Sequence, residues 1–166
     1  MENTLYDSNN AVLDALTKYG DMVRRICFMY LKNQTDLEDI FQEVFLKLLQ
    51  HSEKFDNEEH QKAWLIRVTV NQCKDFHKSF FRKNVCSIED MDIPFEDEQE
   101  SEVIREVLSL PVKYKDVVYL FYYEGYTVPE ISNILGVKEN TIYSHLHRAK
   151  IILKEKLGGS QYGKDF

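Results

Sequence analysis

Between residues 138 and 153 the chain combines an apolar stripe with polar side chains suited to reading DNA. Ile142, Leu146, Ala149 and Leu153 recur at helical spacing and form an inward face. The opposite face then carries Asn140, Thr141, Tyr143, Ser144, His145, His147 and Arg148. Amide, hydroxyl and imidazole groups can meet base edges, while Arg148 and the lysines after it can contact phosphates. Just upstream, Thr127-Val128-Pro129-Glu130 has the form of a capping box, with Val128, Ile131, Ile134 and Leu135 apolar and Gly136 placed to end a short helix. A short capped helix, a tight turn and a longer polar-faced helix make a helix-turn-helix, whose second helix enters a major groove. The plain alternative is a helical hairpin in a core, which would show Glu/Lys solvating pairs on that outer face.

Other chemistries fit less well. Cys73 and His77 stand four apart, and His145 and His147 two apart, but neither pair comes with a third and fourth ligand at metal-site spacing. Cys27 and Cys86 have no neighbouring partner in sequence. Asp36, Glu38, Asp39 and Glu43 do not converge on one face as a phosphodiester-cleaving site requires. No nucleophile elbow, phosphate-binding loop or dinucleotide fingerprint is present. The sequence therefore predicts a protein that is not an enzyme and holds no metal.

The elements that must position these residues are helical. Val12, Leu16, Tyr19, Val23, Ile26 and Tyr30 predict one helix over residues 10–31. Thr35-Asp36-Leu37-Glu38 has capping-box form and precedes the stripe Leu37, Ile40, Phe41, Val44, Phe45, Leu48 and Leu49. Asp36, Glu38, Asp39, Gln42, Glu43 and Lys47 fall on its other face. Residues 60–82 read as one helix with Ala63, Ile66, Val70, Cys73, His77 and Phe80 inward. A lone Trp64 amid Leu65, Ile66 and Val68 is expected to pack in the core. Pro111 suits the first turn of a further helix that buries Tyr114, Val117, Val118 and Phe121 and ends at Gly125.

Composition sets the frame. The 166 residues are 43% apolar and 13% aromatic, enough to bury real cores, while six Gly and three Pro leave little turn material for a many-stranded sheet. No stretch approaches the ~18 apolar residues of a membrane span. The opening MENTLYDSNN has neither the basic flank nor the apolar core of a secretory signal. Three Cys at unrelated spacings suit reduced thiols in a cytoplasmic protein. The net charge of −7 is unevenly held. Residues 1–82 carry 11 basic and 13 acidic groups, residues 83–106 carry 2 and 9, and residues 107–166 carry 8 and 6. The acidic excess thus sits in one segment, read as a linker containing Pro94, and leaves two basic stretches beside it. The first holds Lys62, Arg67, Lys74, Lys78, Arg82 and Lys83, the second Lys138, Arg148, Lys150, Lys154 and Lys156.

Taken in order, these motifs closely resemble the small extracytoplasmic-function sigma factors of bacterial RNA polymerase, in the sigma-70 family. DLEDIFQEVFLKLLQ resembles their region 2.2, and FDNEEHQKAWLIRVTVNQCKDFHK the loop and helix that handle the −10 element. LPVKYKDVVYLFYYEGYTVPEISNILGVKENTIYSHLHRAK resembles region 4, and the likeness spans about residues 10–157. The resemblance implies an all-α protein of two small helical domains: region 2 over residues 8–83, an acidic linker over 84–100, region 4 over 101–158 and a disordered tail over 159–166. It implies binding to core polymerase through Asp39, Gln42, Glu43 and Lys47, which would dock on the clamp coiled coil. Phe55 and Asn71 match the positions that shape a pocket for an extruded −10 base, with Lys62, Arg67, Lys74, Lys78 and Arg82 for phosphates. The −35 contacts fall on Lys138, Asn140, Thr141, Tyr143, Ser144, His145, His147 and Arg148.

The same resemblance implies promoter DNA and core polymerase as partners, an anti-sigma protein that can hold the chain at the membrane, no cofactor and no small-molecule substrate. The acidic linker would thread the polymerase channel that later holds RNA. Where many relatives carry Ser as a helix N-cap, this chain has Lys138, and it lacks their basic residues at Tyr143 and His145, so its −35 preference is its own. Protonation of His145 and His147 below about pH 6.5 is expected to strengthen DNA binding. Two other readings stay open from the residues: a helix-turn-helix regulator that binds DNA without joining polymerase, and a sigma-type fold whose first half mainly binds a partner. Promoter opening separates them.

Overall fold

The computed structural model describes residues 2–51, 53–80 and 98–158, and among these every regular element is helical. The predicted linker up to residue 97, with Cys86 and Pro94, lies outside the described residues, as do Arg82 and Lys83 before it and the predicted tail. The chain forms two compact units. The first holds α1 (Glu2–Tyr30), α2 (Gln34–Gln50) and α3 (Glu58–Phe80); the second holds α4 (Glu98–Leu108), α5 (Val112–Val118), a π-helical turn (Tyr119–Tyr123), α6 (Val128–Leu135) and α7 (Glu139–Leu157).

In the first unit the apolar stripes meet as their spacing predicts. Val23, Ile26 and Cys27 of α1, Val44 of α2, and Leu65, Ile66 and Cys73 of α3 are fully buried together with Thr69, whose hydroxyl donates to the Leu65 carbonyl at 2.6 Å. Arg24 reaches from α1 to α2, pairing with Glu38 at 2.6 Å while its guanidinium lies 4.0 Å from the Phe41 ring centroid. Three ties join α1 to α3, the first an ion pair between Lys18 and the Glu58 carboxylate. The Tyr19 hydroxyl donates to the Glu58 carbonyl at 3.3 Å, and the His77 imidazole bonds the Tyr30 carbonyl at 2.6 Å.

Several local expectations change. α1 starts at Glu2 rather than near residue 10, because nothing in MENTLYDSNN is a helix breaker and extending an existing helix costs little. Leu16 and Leu49, placed inward by periodicity, are exposed. The α2 cap is Asn33, not Thr35: Asn33 Oδ1 accepts from the Asp36 N–H at 2.8 Å, and Glu38 turns to Arg24 and to Gln34 Nε2 instead of closing a box. Asn caps at least as well as Thr, and it lies where the chain is still extended. Asn33→Ala is expected to cost about 1 kcal/mol of stability in urea unfolding. Thr35→Ala, at an exposed position, should stay within about 0.5 kcal/mol.

The second unit contains a helix the pattern analysis assigned to the linker and the segment after it. α4 takes up Glu98 to Leu108; its acidic start, read as solvated linker, suits the positive end of a helix dipole. Val107 packs on a core of Leu110, Tyr114, Val118, Ala149, Leu153 and Leu157. Beyond α5 the backbone widens into the π turn, with the Glu124 N–H reaching the Tyr119 carbonyl at 3.1 Å. The wider turn shifts the phase. Tyr119 and Leu120 turn inward, while Phe121, expected in the core, is exposed. Gly125, at φ 75°, then ends the element as anticipated.

Candidate nucleic-acid interface

The helix-turn-helix forms as its sequence signals require. Thr127 Oγ1 faces the Glu130 N–H while Glu130 Oε2 accepts from the Thr127 N–H at 2.8 Å, closing the capping box. These bonds hold the Glu130 carboxyl below its usual pKa. Gly136, left-handed at φ 66°, turns the chain, and the Ser132 hydroxyl ties the turn by donating to the Val137 carbonyl at 2.6 Å. α7 then starts from Lys138, whose carbonyl accepts from the Thr141 and Ile142 N–H groups but whose side chain makes no cap bond. The weak capping expected there is what the backbone shows.

On α7, Ile142, Leu146, Ala149 and Leu153 are buried. Asn140, Tyr143, Ser144, His147 and Arg148 are exposed, Tyr143 by 57% of its surface. Thr141 and His145 are half-buried, and Lys138 is exposed. Two of these residues are set by α5. The Tyr114 hydroxyl is hydrogen-bonded by Arg148, which lowers the phenol's pKa. The His145 ring stands edge-on to Tyr114 at 5.4 Å. Burial, and then the charges of Lys113 and Arg148, push the His145 imidazole below its ordinary pKa, with a hydrogen bond to the Lys113 backbone opposing them. His145 therefore gains charge only at a lower pH than a free imidazole, which moves any gain in DNA binding at this residue to lower pH. A depressed histidine also sets a sign for stability. The unfolded chain binds more protons once pH falls below the ordinary imidazole pKa of about 6.5, so His145 costs stability on acidification. Melting curves from pH 8 to pH 5 should show a shallower acid-side loss in His145→Asn than in the parent protein.

In the first unit, Arg67, Asn71, Lys74 and Lys78 follow at intervals of four, three and four on α3 and so share one strip. Asn71, Arg67 and Lys78 are exposed and Lys74 half-buried. Lys62 lies five residues before Arg67, off this strip. Trp64 stands at its N-terminal end and is half-buried rather than in the core. It packs with His51 and Phe55, the latter also half-buried in the loop between α2 and α3.

The polar face of α2 is partly as anticipated. Asp39, Gln42 and Glu43 are exposed at helical spacing. Lys47, also exposed, donates instead to Gln72 Oε1 on α3 at 3.2 Å. Sequence reasoning missed Leu46, which is 52% exposed in the middle of this face. Its signal was available: Leu46 lies seven residues after Asp39 and three after Glu43, outside the inward stripe.

Family models match the two units in order. Residues 15–83 match Sigma-70 region 2 and residues 101–153 match Sigma-70, region 4. The chain is 30% identical over 152 residues to the RNA polymerase sigma factor SigV of Bacillus subtilis, covering 88% of this chain and 90% of that one. It is 25% identical over 167 residues to the ECF RNA polymerase sigma factor SigW of the same organism, covering 89% of each. Its fold matches the sigma factor RpoE of Bartonella quintana, solved in complex with the anti-sigma factor NepR, with a TM-score of 0.72 at 18% identity over 87% of this chain and 95% of that one. Two matched regions in order, and relatives aligned almost end to end, place this chain in the sigma-70 family, among its extracytoplasmic-function sigma factors.

Proposed function

We propose that this chain is a promoter-specificity subunit that joins core RNA polymerase and opens DNA at promoters carrying its own −10 and −35 elements. Family membership makes it a sigma factor rather than an enzyme. α2 is the polymerase-facing helix, through Asp39, Gln42 and Glu43, with Lys47 at the edge and Leu46 among them. The loop holding Phe55 and the strip Arg67, Asn71, Lys74 and Lys78 handle the −10 element, with Lys62 adding charge nearby. α7 reads the −35 element through Lys138, Asn140, Thr141, Tyr143, Ser144, His147 and Arg148, with His145 shaping that surface from its partly buried position.

The observation that carries this reading is the pairing of functions in one chain. A polar-faced helix-turn-helix accompanies a separate helical unit in which an aromatic cluster sits at the head of a basic strip. Rings and an amide suit an unstacked base, and the strip suits the strand that carries it. A regulator that only binds duplex DNA has no use for the second arrangement. An anti-sigma protein is the expected partner, as in the complex of RpoE with the anti-sigma factor NepR from Bartonella quintana. No described helix is long and apolar enough to cross a membrane. We place the chain in the cytoplasm, where polymerase is, with an anti-sigma partner able to hold it at the membrane. Alone the chain should bind DNA weakly and with steep salt dependence.

Run-off transcription with purified bacterial core polymerase on fragmented source DNA tests this. New, discrete start sites that need the protein are expected, and their upstream sequences reveal both elements. Absence of new starts together with absence of core binding would leave a stand-alone DNA-binding protein.

A further inference from the structure

Among the described residues of the loop between α2 and α3, packed rings join the two helices. His51 closes α2, its N–H reaching the Leu48 carbonyl at 3.1 Å. Its imidazole lies nearly parallel to the Phe55 ring, at 4.8 Å and 19°, and against Trp64 at 4.7 Å. Phe55 meets Trp64 at 5.6 Å and His60 at 5.5 Å, both edge-on. The far end of the loop is tied as well: Asn57 Oδ1 accepts from the His60 N–H at 2.8 Å, and His60 Nδ1 accepts from the Asp56 N–H at 3.3 Å. His51 thus joins the end of one helix, the loop aromatic and the first turns of the next helix in a single stack.

We propose that His51 is a positioning residue for −10 recognition. By stacking on Phe55 it holds that ring in place, so that the accessible part of Phe55 meets an extruded base without the loop having to order first. Preorganisation of this kind raises affinity by removing an ordering cost from the binding step. The inference rests on the reading of Phe55 as part of the −10 pocket. It concerns ring stacking rather than charge: any flat ring at position 51 should serve, and an aliphatic side chain should not.

The test uses holoenzyme assembled from the full chain and core polymerase. The probe is a single-stranded non-template oligonucleotide spanning the −10 region of a start site mapped with this protein, intact or with one abasic position moved along it. Phe55→Ala identifies the base position that pocket receives, as the one whose abasic probe no longer distinguishes it from the parent. His51→Ala is expected to weaken binding of the intact probe by about three- to tenfold, the range of one aromatic pair. The loss should vanish on that abasic probe, His51→Phe should restore binding to within about twofold of the parent, and affinity for core polymerase should not change. Parent-like binding by His51→Ala overturns the inference. So does an equal loss on intact and abasic probes, or a His51→Phe protein as weak as His51→Ala. If Phe55→Ala itself binds every probe like the parent, the reading of Phe55 fails and the inference falls with it. A weakened Phe55→Ala beside a parent-like His51→Ala removes the inference alone.

Discussion

Replacing Asp39 and Glu43 together by lysine is expected to abolish assembly with core polymerase, lowering affinity at least about a hundredfold, because reversed charges at a docked face both lose their partners and repel them. The protein itself should stay folded. Both side chains are exposed on α2. The new lysine at position 43 faces Lys47 one turn on, a like-charge pair costing only about 0.2–0.5 kcal/mol. Asp21→Lys, a reversal on the exposed side of α1, is the matched control and should assemble normally. Fluorescence anisotropy against core polymerase reads all three proteins. Unchanged affinity in the double reversal would remove α2 from the interface.

The second large effect belongs to α7, where two substitutions should fail in different ways. Asn140 is exposed in the first turn of the recognition helix, the part that enters the groove. Asn140→Ala should flatten discrimination at one base pair of the −35 element by about tenfold or more, since an amide paired to a base is worth roughly 1–3 kcal/mol of discrimination. Arg148 lies two turns further along and is exposed. Arg148→Ala should weaken all −35 sequences alike and lower the slope of log affinity against log salt by about one. Holoenzyme binding to −35 duplexes across a salt series separates the two. A uniform loss for Asn140→Ala, or a sequence-specific one for Arg148→Ala, would exchange their roles.

These residues could be found in the sequence because the signals at their positions are local. The capping box at Thr127 and Glu130, the left-handed Gly136 and the stripe Ile142, Leu146, Ala149 and Leu153 each depend on a few neighbouring residues, and the structure bears them out. The same holds for Leu37, Ile40, Phe41, Val44, Phe45 and Leu48 on α2 and for Ile66, Val70 and Cys73 on α3, though not for the exposed Leu49. What escaped was set by tertiary partners. Asn33 rather than Thr35 caps α2 because the helix begins where the chain leaves α1, and Glu38 is drawn to Arg24 on the neighbouring helix. α4 was hidden by an acidic run that reads as solvated linker until Val107 is seen to pack on the α7 core. The π turn rotates Phe121 outward, and no helical period could report an added residue in the turn. At the site, Arg67, Asn71, Lys74 and Lys78 were named through the basic stretch and the resemblance, while their shared strip follows from their spacing on α3. The stacking of His51 on Phe55 was not legible, because it joins the end of one helix to a loop without any repeating pattern.

The claim that this chain opens promoters, and does not merely bind them, is tested most directly by permanganate reactivity of thymines across a mapped start site. Core polymerase with this protein should make thymines from the −10 element to the start reactive, while core polymerase alone and the protein alone leave them paired. Duplex protection over the −35 element without any reactive thymine downstream would contradict the account, leaving α7 as a DNA reader and the first unit without its assigned role.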